Sequence, residues 1–330
     1  MKNQLNILLV ADEAAGAHTL RLLSKSEHVL SGVLKPLNSP NVIERENTGN
    51  EMTGSNKNLN SSIAVIADKL GVPVLDAARV QDPDFAAWMN SHHIDVLLNV
   101  HSLYRICPEV IEAAEVGAFN LHPGPLPQYS GLNVPSWALY NEESTHAVTI
   151  HYITDKIDTG HIIYETKFPL SSKDTGLTVS IKCINNGLEL IKQLLNDLAR
   201  DPLSIPSRPQ DLSQRNYYKR NEIPGEGFIQ WSEPAHKIDA FVRACNYSPF
   251  PSPWGEPKTK WGEKVISILK TRPSKIVCNE TYGRVGQLIE GFTAIATADY
   301  WLLVDKIKVD GETVSAATIL NRGDLLTSVL

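Results

Sequence analysis

The sequence predicts an α/β protein with a mostly parallel sheet, followed by a small all-β domain. Up to about residue 200, short apolar runs of strand length alternate with segments of helical periodicity, which is typical of a doubly wound sheet. A polar, proline-rich stretch at 201–213 then indicates a linker, and short strands alternate with turns from residue 264 onward. We predict an N-terminal α/β domain over 1–203, a linker over 204–235, and a C-terminal helix with a β domain over 236–330.

The composition excludes several classes of protein. A net charge of −6 over 330 residues, without a dense run of Lys or Arg, argues against nucleic acid as a partner. The four cysteines are scattered, which predicts free thiols and neither a zinc site nor a disulfide framework. No apolar run reaches the ~18 residues of a membrane span, so we expect a cytoplasmic protein without membrane contact.

The first elements follow from hydrophobic patterning. Leu5–Val10 is a short apolar run, as expected of a buried parallel strand. Ala14–Ser24 has apolar residues at helical spacing, and His28–Leu34 is a second strand. Gly16 stands alone, so the G-x-G-x-x-G pattern of dinucleotide-binding proteins is absent.

The next stretch, 36–61, is dense in Asn, Ser and Gly and is predicted to be a surface loop. Two interpretations remain open for it, a plain disordered insertion and a lid that orders on ligand binding. Helical periodicity returns over Ser62–Leu70 and again over Asp84–Asn90, with a short strand at Val72–Leu75 between them.

Two neighbouring strands end in polar residues. Ile94–Val100 is the clearest buried strand, and Pro108 then stands where a helix begins. The following strand, Ala118–His122, carries Asn120 and His122 on one side because side chains alternate along a strand. Polar side chains at the carboxyl ends of parallel strands indicate an active-site edge.

The remaining elements are predicted in the same way. Pro135–Asn141 forms one or two helical turns, and the strands Ala147–Ile153 and Ile162–Glu165 enclose a loop that contains Asp158–Thr159–Gly160. Asp174–Thr175 caps a long amphipathic helix to about Arg200, which should pack across the sheet. The C-terminal part begins with a helix over His236–Cys245 and continues with the strands Val265–Leu269, Gly286–Ile289, Ala294–Thr297 and Trp301–Val304.

Asn120, His122 and Asp158 together suit direct acyl transfer to an amine. A tetrahedral intermediate needs a hydrogen-bond donor for its oxyanion, which an asparagine amide supplies. It also needs a base for the ammonium proton, and histidine titrates near neutral pH. Structural alternatives remain open at this point, since a D-T-G triplet is often only a turn and Asn-x-His at a strand end is often structural. The histidines do not form a metal-binding pattern, so no metal is expected.

Three motifs carry a resemblance to a known family. Phe119–His122, then Pro125–Gly131, then Ile157–Gly160 resemble the folate-dependent formyltransferases in order and spacing. That family includes methionyl-tRNA, glycinamide-ribonucleotide and sugar-nucleotide N-formyltransferases, and the resemblance covers roughly residues 60–200.

The resemblance implies a Rossmann-like fold with an OB-like C-terminal domain, and 10-formyltetrahydrofolate as co-substrate. It places the catalytic Asn, His and Asp of the family on Asn120, His122 and Asp158. The residues that it implies for holding the folate are Ser102, Leu103, Tyr104, Arg105 and Ile106, with Asp155 and Ile157 in an opposite wall.

This chain departs from the family pattern beside the catalytic motif. Relatives commonly carry Ser, Leu and Arg where this chain has Gly124, Pro125 and Ser130, so we expect these three and Tyr129 to shape an unusual acceptor pocket.

The acceptor is predicted to be a small-molecule amine, with a nucleotide-linked amino sugar as the main hypothesis. Aromatic and charged residues near the linker could stack on a base and contact a diphosphate; the candidates are Tyr217, Tyr218, Lys219, Arg220 and Trp231. An ordinary surface at a domain junction is the alternative for that group.

The main alternative acceptor is an amino acid or hydroxylamine in peptide natural-product or siderophore biosynthesis. Methionyl-tRNA is disfavoured by the acidic chain. Hydrolysis or dehydrogenation of formyl-folate would need a further domain, and a catalytically inactive binding module conflicts with the intact trio. A homodimer is possible.

Overall fold

The computed structural model describes residues 4–37 and 62–328. The chain divides into two compact units, which we describe separately. The first comprises the residues up to Ser130 with Ala147–Lys167 and Cys183–Tyr217. The second comprises Gly131–His146, Phe168–Lys182 and the residues from Tyr218. The hypothesis of a lid over 36–61 lies, from residue 38 onward, outside the described residues.

The first unit is built on a mostly parallel sheet with strand order β3-β2-β1-β4-β5-β7-β8. Neighbours from β3 to β5 are parallel, whereas β7 runs antiparallel to β5. The strand order reverses between β1 and β4, and ligands bind at such switch points in α/β sheets. The strands of this sheet are β1 Asn6–Ala11, β2 Val29–Lys35, β3 Val74–Asp76, β4 Val96–Val100, β5 Gly117–His122, β7 Thr145–Tyr152 and β8 Ile162–Pro169. The short strand β6 Ser130–Gly131 lies between β5 and β7 in the chain and is not part of this sheet.

Helices cover both faces of this sheet, as predicted for a doubly wound fold. One apolar cluster includes Leu9, Leu98 and Leu121, and the other includes Leu8, Leu97 and Ala118, so alternate strand residues point to opposite layers. The helices of this unit up to residue 200 are α1 Glu13–Leu23, α2 Ile63–Leu70, α3 Phe85–Ser91, α4 Pro108–Glu112 and, from Cys183 onward, α6 Gly176–Arg200. Helix α5 Val134–Tyr140 belongs to the second unit.

Local signals fix several helix ends. The Ser62 side chain accepts from the Val65 N–H at the start of α2, and Gly71 ends that helix in a left-handed conformation with φ +67°. Pro108 occupies the first turn of α4, as predicted.

Helix α6 packs closely behind the strand that carries Asn120 and His122. A Cβ added at Gly187 would lie 2.7 Å from Leu121 Cδ2, so a larger side chain would push the helix and β5 apart. The prediction that this helix packs on the sheet is therefore confirmed.

The second unit contains an antiparallel sheet with strand order β12-β13-β14-β11-β10-β16, and β15 pairs with β14. The predicted α/β fold followed by a C-terminal β domain is thus confirmed. Its strands, with the short β9 that precedes them, are β9 Tyr217–Tyr218, β10 Lys258–Trp261, β11 Lys264–Val277, β12 Val285–Ile289, β13 Phe292–Ile295, β14 Tyr300–Val309, β15 Glu312–Ser315 and β16 Leu326–Thr327. The last helices are α7 Ala235–Ala244 and α8 Ala316–Ile319.

Sequence patterning was wrong about strand lengths in this unit. Strand β11 continues through Pro273 to Val277, whereas the pattern predicted an end at Leu269. Its pairing with β14 shifts register on both sides of Pro273, which lets a residue without an N–H stand inside a paired strand.

The cysteines at 107, 183, 245 and 278 are all free, in agreement with the sequence prediction. Within 4–37 and 62–328, no helix combines the length and apolar character that a membrane span requires. The predicted domain boundaries at 203 and 235 stay predictions.

Candidate active site

A row of polar side chains crosses three strands of the first sheet. The parallel register sets Asn99 of β4 beside Asn120 of β5, and the antiparallel register sets His151 of β7 opposite Asn120. Asn99 Nδ2 donates to Asn120 Oδ1 at 2.8 Å, and Asn120 Nδ2 lies 2.9 Å from His151 Nε2. Strand pairing thus fixes the orientation of the Asn120 amide.

His151 is held as the tautomer that accepts from Asn120. Its Nδ1 lies 2.8 Å from the Tyr152 carbonyl oxygen, which can only accept, so Nδ1 carries the proton and Nε2 the lone pair. Asn120 then gives one Nδ2–H to His151, and its second Nδ2–H has no acceptor among the described residues. This N–H is available to a ligand oxygen.

Asp158 lies between the two buried histidines. Its Oδ2 is 3.6 Å from His122 Nδ1, and its Oδ1 is 3.5 Å from His151 Nε2. The side chain is only 8% exposed, and the residue adopts a left-handed backbone with φ +56°. A buried carboxylate at this position is an electrostatic partner for the His122 imidazole.

Gly160 allows the loop of Asp158 to approach β7. A Cβ added at Gly160 would overlap the Tyr152 carbonyl oxygen, the atom that fixes the His151 tautomer. The glycine of the D-T-G triplet is therefore required by close backbone approach.

His122 is buried and is neutral at pH 7. Burial lowers its pKa from the ordinary 6.5, the Asp158 carboxylate opposes this change, and His151 adds to it. Its Nε2–H donates to the Tyr129 carbonyl oxygen at 2.6 Å. In this tautomer Nδ1 carries a lone pair toward Asp158, so Nδ1 can take up a proton that the carboxylate would stabilise.

His101 is a further histidine at this edge, immediately after β4. It adopts φ +56°, and its Nε2 is buried without a hydrogen-bond partner among the described residues. Burial, with a smaller contribution from His122, lowers the pKa of His101 to about 4. A neutral imidazole therefore stands next to His122 at pH 7.

Sequence reasoning missed Asn99, His101 and His151. Asn99 and His151 are polar residues inside mostly apolar strand segments, Ile94–Val100 and Ala147–Ile153, and this signal could have identified them. Strand order and register were needed to show that both meet Asn120.

The residues predicted to hold the folate lie on two segments that contact each other. Arg105 Nη2 donates to the Asp155 carbonyl oxygen at 3.0 Å. Leu103 and Ile157 are large apolar side chains with 55% and 43% exposure, which leaves apolar surface on each segment. Of the other residues in the first segment, Ile106 is buried, and Ser102 and Tyr104 are half-buried.

Several residues predicted to contact the acceptor have structural contacts. The Gly124 carbonyl oxygen accepts from Thr149 Oγ1 at 2.8 Å, and that of Pro125 accepts from the Tyr129 N–H at 2.9 Å. Ser130 is fully buried, and its hydroxyl donates to the Pro127 carbonyl oxygen at 3.2 Å.

The candidates near the linker differ in exposure. In the first unit, Tyr217 is exposed, with the Arg215 guanidinium 4.7 Å from its ring centroid. In the second unit, Tyr218 stacks on a tryptophan, and Lys219 and Arg220 are exposed. Trp231 is only 3% exposed, and its Nε1–H donates to Thr259 Oγ1 at 2.9 Å, so it is part of the core of the second unit.

Two families of known sequences match this chain. Residues 22–195 match the formyl transferase family, and residues 223–323 match the formyl transferase C-terminal domain.

Solved structures share the fold at low sequence identity. An N-formyltransferase from Helicobacter canadensis, in complex with folinic acid and dTDP-3-aminofucose, is 18% identical with a TM-score of 0.63, and the match covers 91% of this chain and 98% of that one. The sugar 3N-formyltransferase WlaRD, with dTDP and 5-N-formyl-THF, is 16% identical with a TM-score of 0.63 and coverages of 93% and 98%. HypX from Aquifex aeolicus, in complex with tetrahydrofolic acid, is 16% identical with a TM-score of 0.55, and this chain covers 46% of it.

Proposed function

The chain belongs to the formyl transferase family, and from this premise we propose that it moves the formyl group of 10-formyltetrahydrofolate to a primary amine of a nucleotide-linked amino sugar. The observation that carries the proposal is the polar row at the sheet edge, where Asn120 presents an N–H beside the group formed by His122, Asp158 and His151. A hydrogen-bond donor and a buried base at one place are what formyl transfer to an amine requires.

The residues at this edge fit a reduced folate. Leu103 and Ile157 offer exposed apolar surface for a flat ring, and Arg105 ties the two segments together. The buried Nε2 of His101 and Oδ1 of Asn99 have no partners among the described residues, so polar atoms of a ligand would satisfy them. When bound, the folate supplies the formyl carbon that the amine attacks.

Asn120 is proposed to stabilise the oxyanion that develops on the formyl oxygen. The amide cannot rotate freely because Oδ1 accepts from Asn99 while Nδ2 donates to His151. Its remaining N–H therefore has a fixed direction before the reaction begins, which is the property that makes such a donor effective.

His122 and Asp158 are proposed to receive the proton that the amine loses as its nitrogen bonds to the formyl carbon. Neutral His122 offers its Nδ1 lone pair, and the Asp158 carboxylate at 3.6 Å stabilises the imidazolium that results. The Tyr129 carbonyl keeps the other ring nitrogen protonated and the ring in place. The proton can then return to the departing nitrogen of the folate.

The acceptor assignment is supported by two further observations. The net charge of −6 disfavours a tRNA, whose binding depends on neutralising phosphates. The structures with similar folds include two that were determined with dTDP or a dTDP-linked amino sugar. Tyr217, an exposed aromatic residue, is our candidate for stacking on the base, whereas the burial of Trp231 removes it from the proposal. A cytoplasmic location and a homodimer stay predictions.

Tetrahydrofolate release measured against a panel of amines tests this function. The panel contains dTDP-linked amino sugars, free amino acids, N-hydroxylated amines and methionyl-tRNA. We expect formylation of the amino sugars and a thermal shift with dTDP alone. Formylation of an amino acid or hydroxylamine without dTDP binding would overturn the sugar assignment, and absence of tetrahydrofolate release with every amine would overturn formyl transfer.

A further inference from the structure

The segment Arg208–Asn216, which the sequence predicts to be part of a linker, packs along the loop that carries Asp158. At one end, Arg208 and Ile162 exchange two backbone hydrogen bonds of 2.8 Å each. At the other end, the Ser130 N–H donates to the Asn216 carbonyl oxygen at 3.0 Å. The segment is thus fixed to β8 and to the residue that follows Tyr129, whose carbonyl holds His122.

Between these ends, two side chains bind the backbone around Asp158. Gln210 Nε2 donates to the carbonyl oxygens of Asp158, at 3.0 Å, and Gly160, at 2.6 Å. Arg215 Nη2 donates to the Ile157 carbonyl oxygen at 3.0 Å. Three of the four carbonyls from Ile157 to Gly160 are therefore held by this segment.

The orientation of the Gln210 amide follows from these contacts. Nε2 has two hydrogens, and each meets one of the two carbonyl oxygens. The flipped amide would direct Oε1 at both oxygens, which is repulsive. Gln210 is half-buried, so water competes only in part for these bonds.

Asp158 needs such support because its backbone is strained. A non-glycine residue with φ near +56° is less stable than one in a right-handed or extended conformation, so surrounding contacts are needed to hold it. A relaxed backbone would move the carboxylate away from His122 and His151, since both distances depend on the direction of the Asp158 side chain.

We propose that Gln210 is a positioning residue, which holds the Asp158 backbone in the left-handed conformation and thereby sets the distance of the carboxylate from His122 and His151. The inference rests on the proposed function, since that is where Asp158 receives its role. Gln210 need not touch either substrate.

Gln210→Met tests the proposal because it preserves length and removes both donors. We expect kcat to fall about 10- to 100-fold, as a misplacement of about 1 Å can cause, with little change in the KM of the folate. Gln214→Met is the matched control, since Gln214 lies in the same segment but its side chain, within the described part of the chain, hydrogen-bonds only to Gln128 and Asp211. The control should keep wild-type kcat.

A titration of His122 by ¹⁵N-histidine NMR separates this proposal from the proposed function, because it needs no substrate. Burial and the neighbouring His151 lower the pKa of His122, whereas the Asp158 carboxylate raises it. A displaced carboxylate should therefore lower the pKa of His122 in Gln210→Met and leave it unchanged in Gln214→Met.

Wild-type kcat and an unchanged His122 titration in Gln210→Met would overturn the proposal, even if thermal stability fell. If Gln210→Met does not fold, Gln210→Asn is used, which keeps the amide but shortens the side chain by one methylene. Its kcat and its His122 titration then decide in the same way whether residue 210 positions Asp158. If the wild type releases no tetrahydrofolate, the titration still decides whether Gln210 positions Asp158.

Discussion

The two units use their buried polar side chains differently. In the first unit, the buried residues Asn99, His122, His151 and Asp158 form one continuous group at the sheet edge, in which Asn120 links Asn99 to His151. In the second unit, Thr259 and Asp239 are buried polar residues that bind structural partners. Thr259 accepts from Trp231, and Asp239 accepts from Arg243 and Thr271.

This difference shows which unit is suited to chemistry. Burying a hydrogen-bond donor without an acceptor lowers the stability of the folded protein. A cluster of buried polar groups that keeps such a donor is therefore better explained by a role in binding or catalysis than by stability. Thr259 and Asp239 of the second unit are satisfied in this local way, so their loss should affect folding but not turnover.

His122→Ala should have the largest effect in the first unit. The substitution removes the proposed base, which is also the partner of Asp158. We expect kcat, measured as tetrahydrofolate release, to fall by about 10²–10⁴-fold. His28→Gln is the matched control, since His28 is also buried but its ring bonds to backbone atoms of Leu5 and Leu195. The control should lose stability and keep kcat, and near wild-type kcat in His122→Ala would contradict the role.

Asn120→Ala should follow, with a loss of about 10²–10³-fold in kcat and largely retained folate binding. Asn120→Asp keeps the size of the side chain but removes both N–H groups, so it should be at least as slow. Single-turnover kinetics and folate titration separate the two quantities. A loss confined to the folate Kd would show that the amide binds and does not stabilise the oxyanion.

His101→Asn should change how stability depends on pH. The folded-state pKa of about 4 lies below the ordinary 6.5, so the unfolded chain binds a proton first as pH falls. The stability linked to His101 is full above about pH 6.5 and is lost toward pH 4, by roughly 2–3 kcal/mol. In urea unfolding, the free energy of unfolding should therefore decrease less between pH 7 and pH 4 in His101→Asn than in the wild type. Equal decreases in the two proteins would contradict the burial of a neutral His101 ring.

Trp231→Phe should have the smallest effect and should affect stability only. Loss of the hydrogen bond to Thr259, whose hydroxyl also donates to the Thr327 carbonyl oxygen, should lower the free energy of unfolding by about 1 kcal/mol. We expect kcat to stay within about twofold of wild type. A large rise in the KM of the amine would instead support a contact with the acceptor.

The pattern of the chain determined much of the first unit. Alternating strands and helices predicted the parallel sheet, and the polar ends of two apolar strands pointed to its active edge. Alternation along β5 placed Asn120 and His122 on one side, and the structure has both near Asp158. These features depend on residues close in sequence, which is why the sequence alone revealed them.

The tertiary structure decided what surrounds these residues. Only strand register brings Asn99 and His151 to Asn120, because the three lie on different strands. Only the path of the chain after α6 brings Gln210 to Asp158, 52 positions away, and turns an apparent linker into support for the site. The sequence determines which chemical groups are available, whereas long-range packing decides their tautomers, distances and directions.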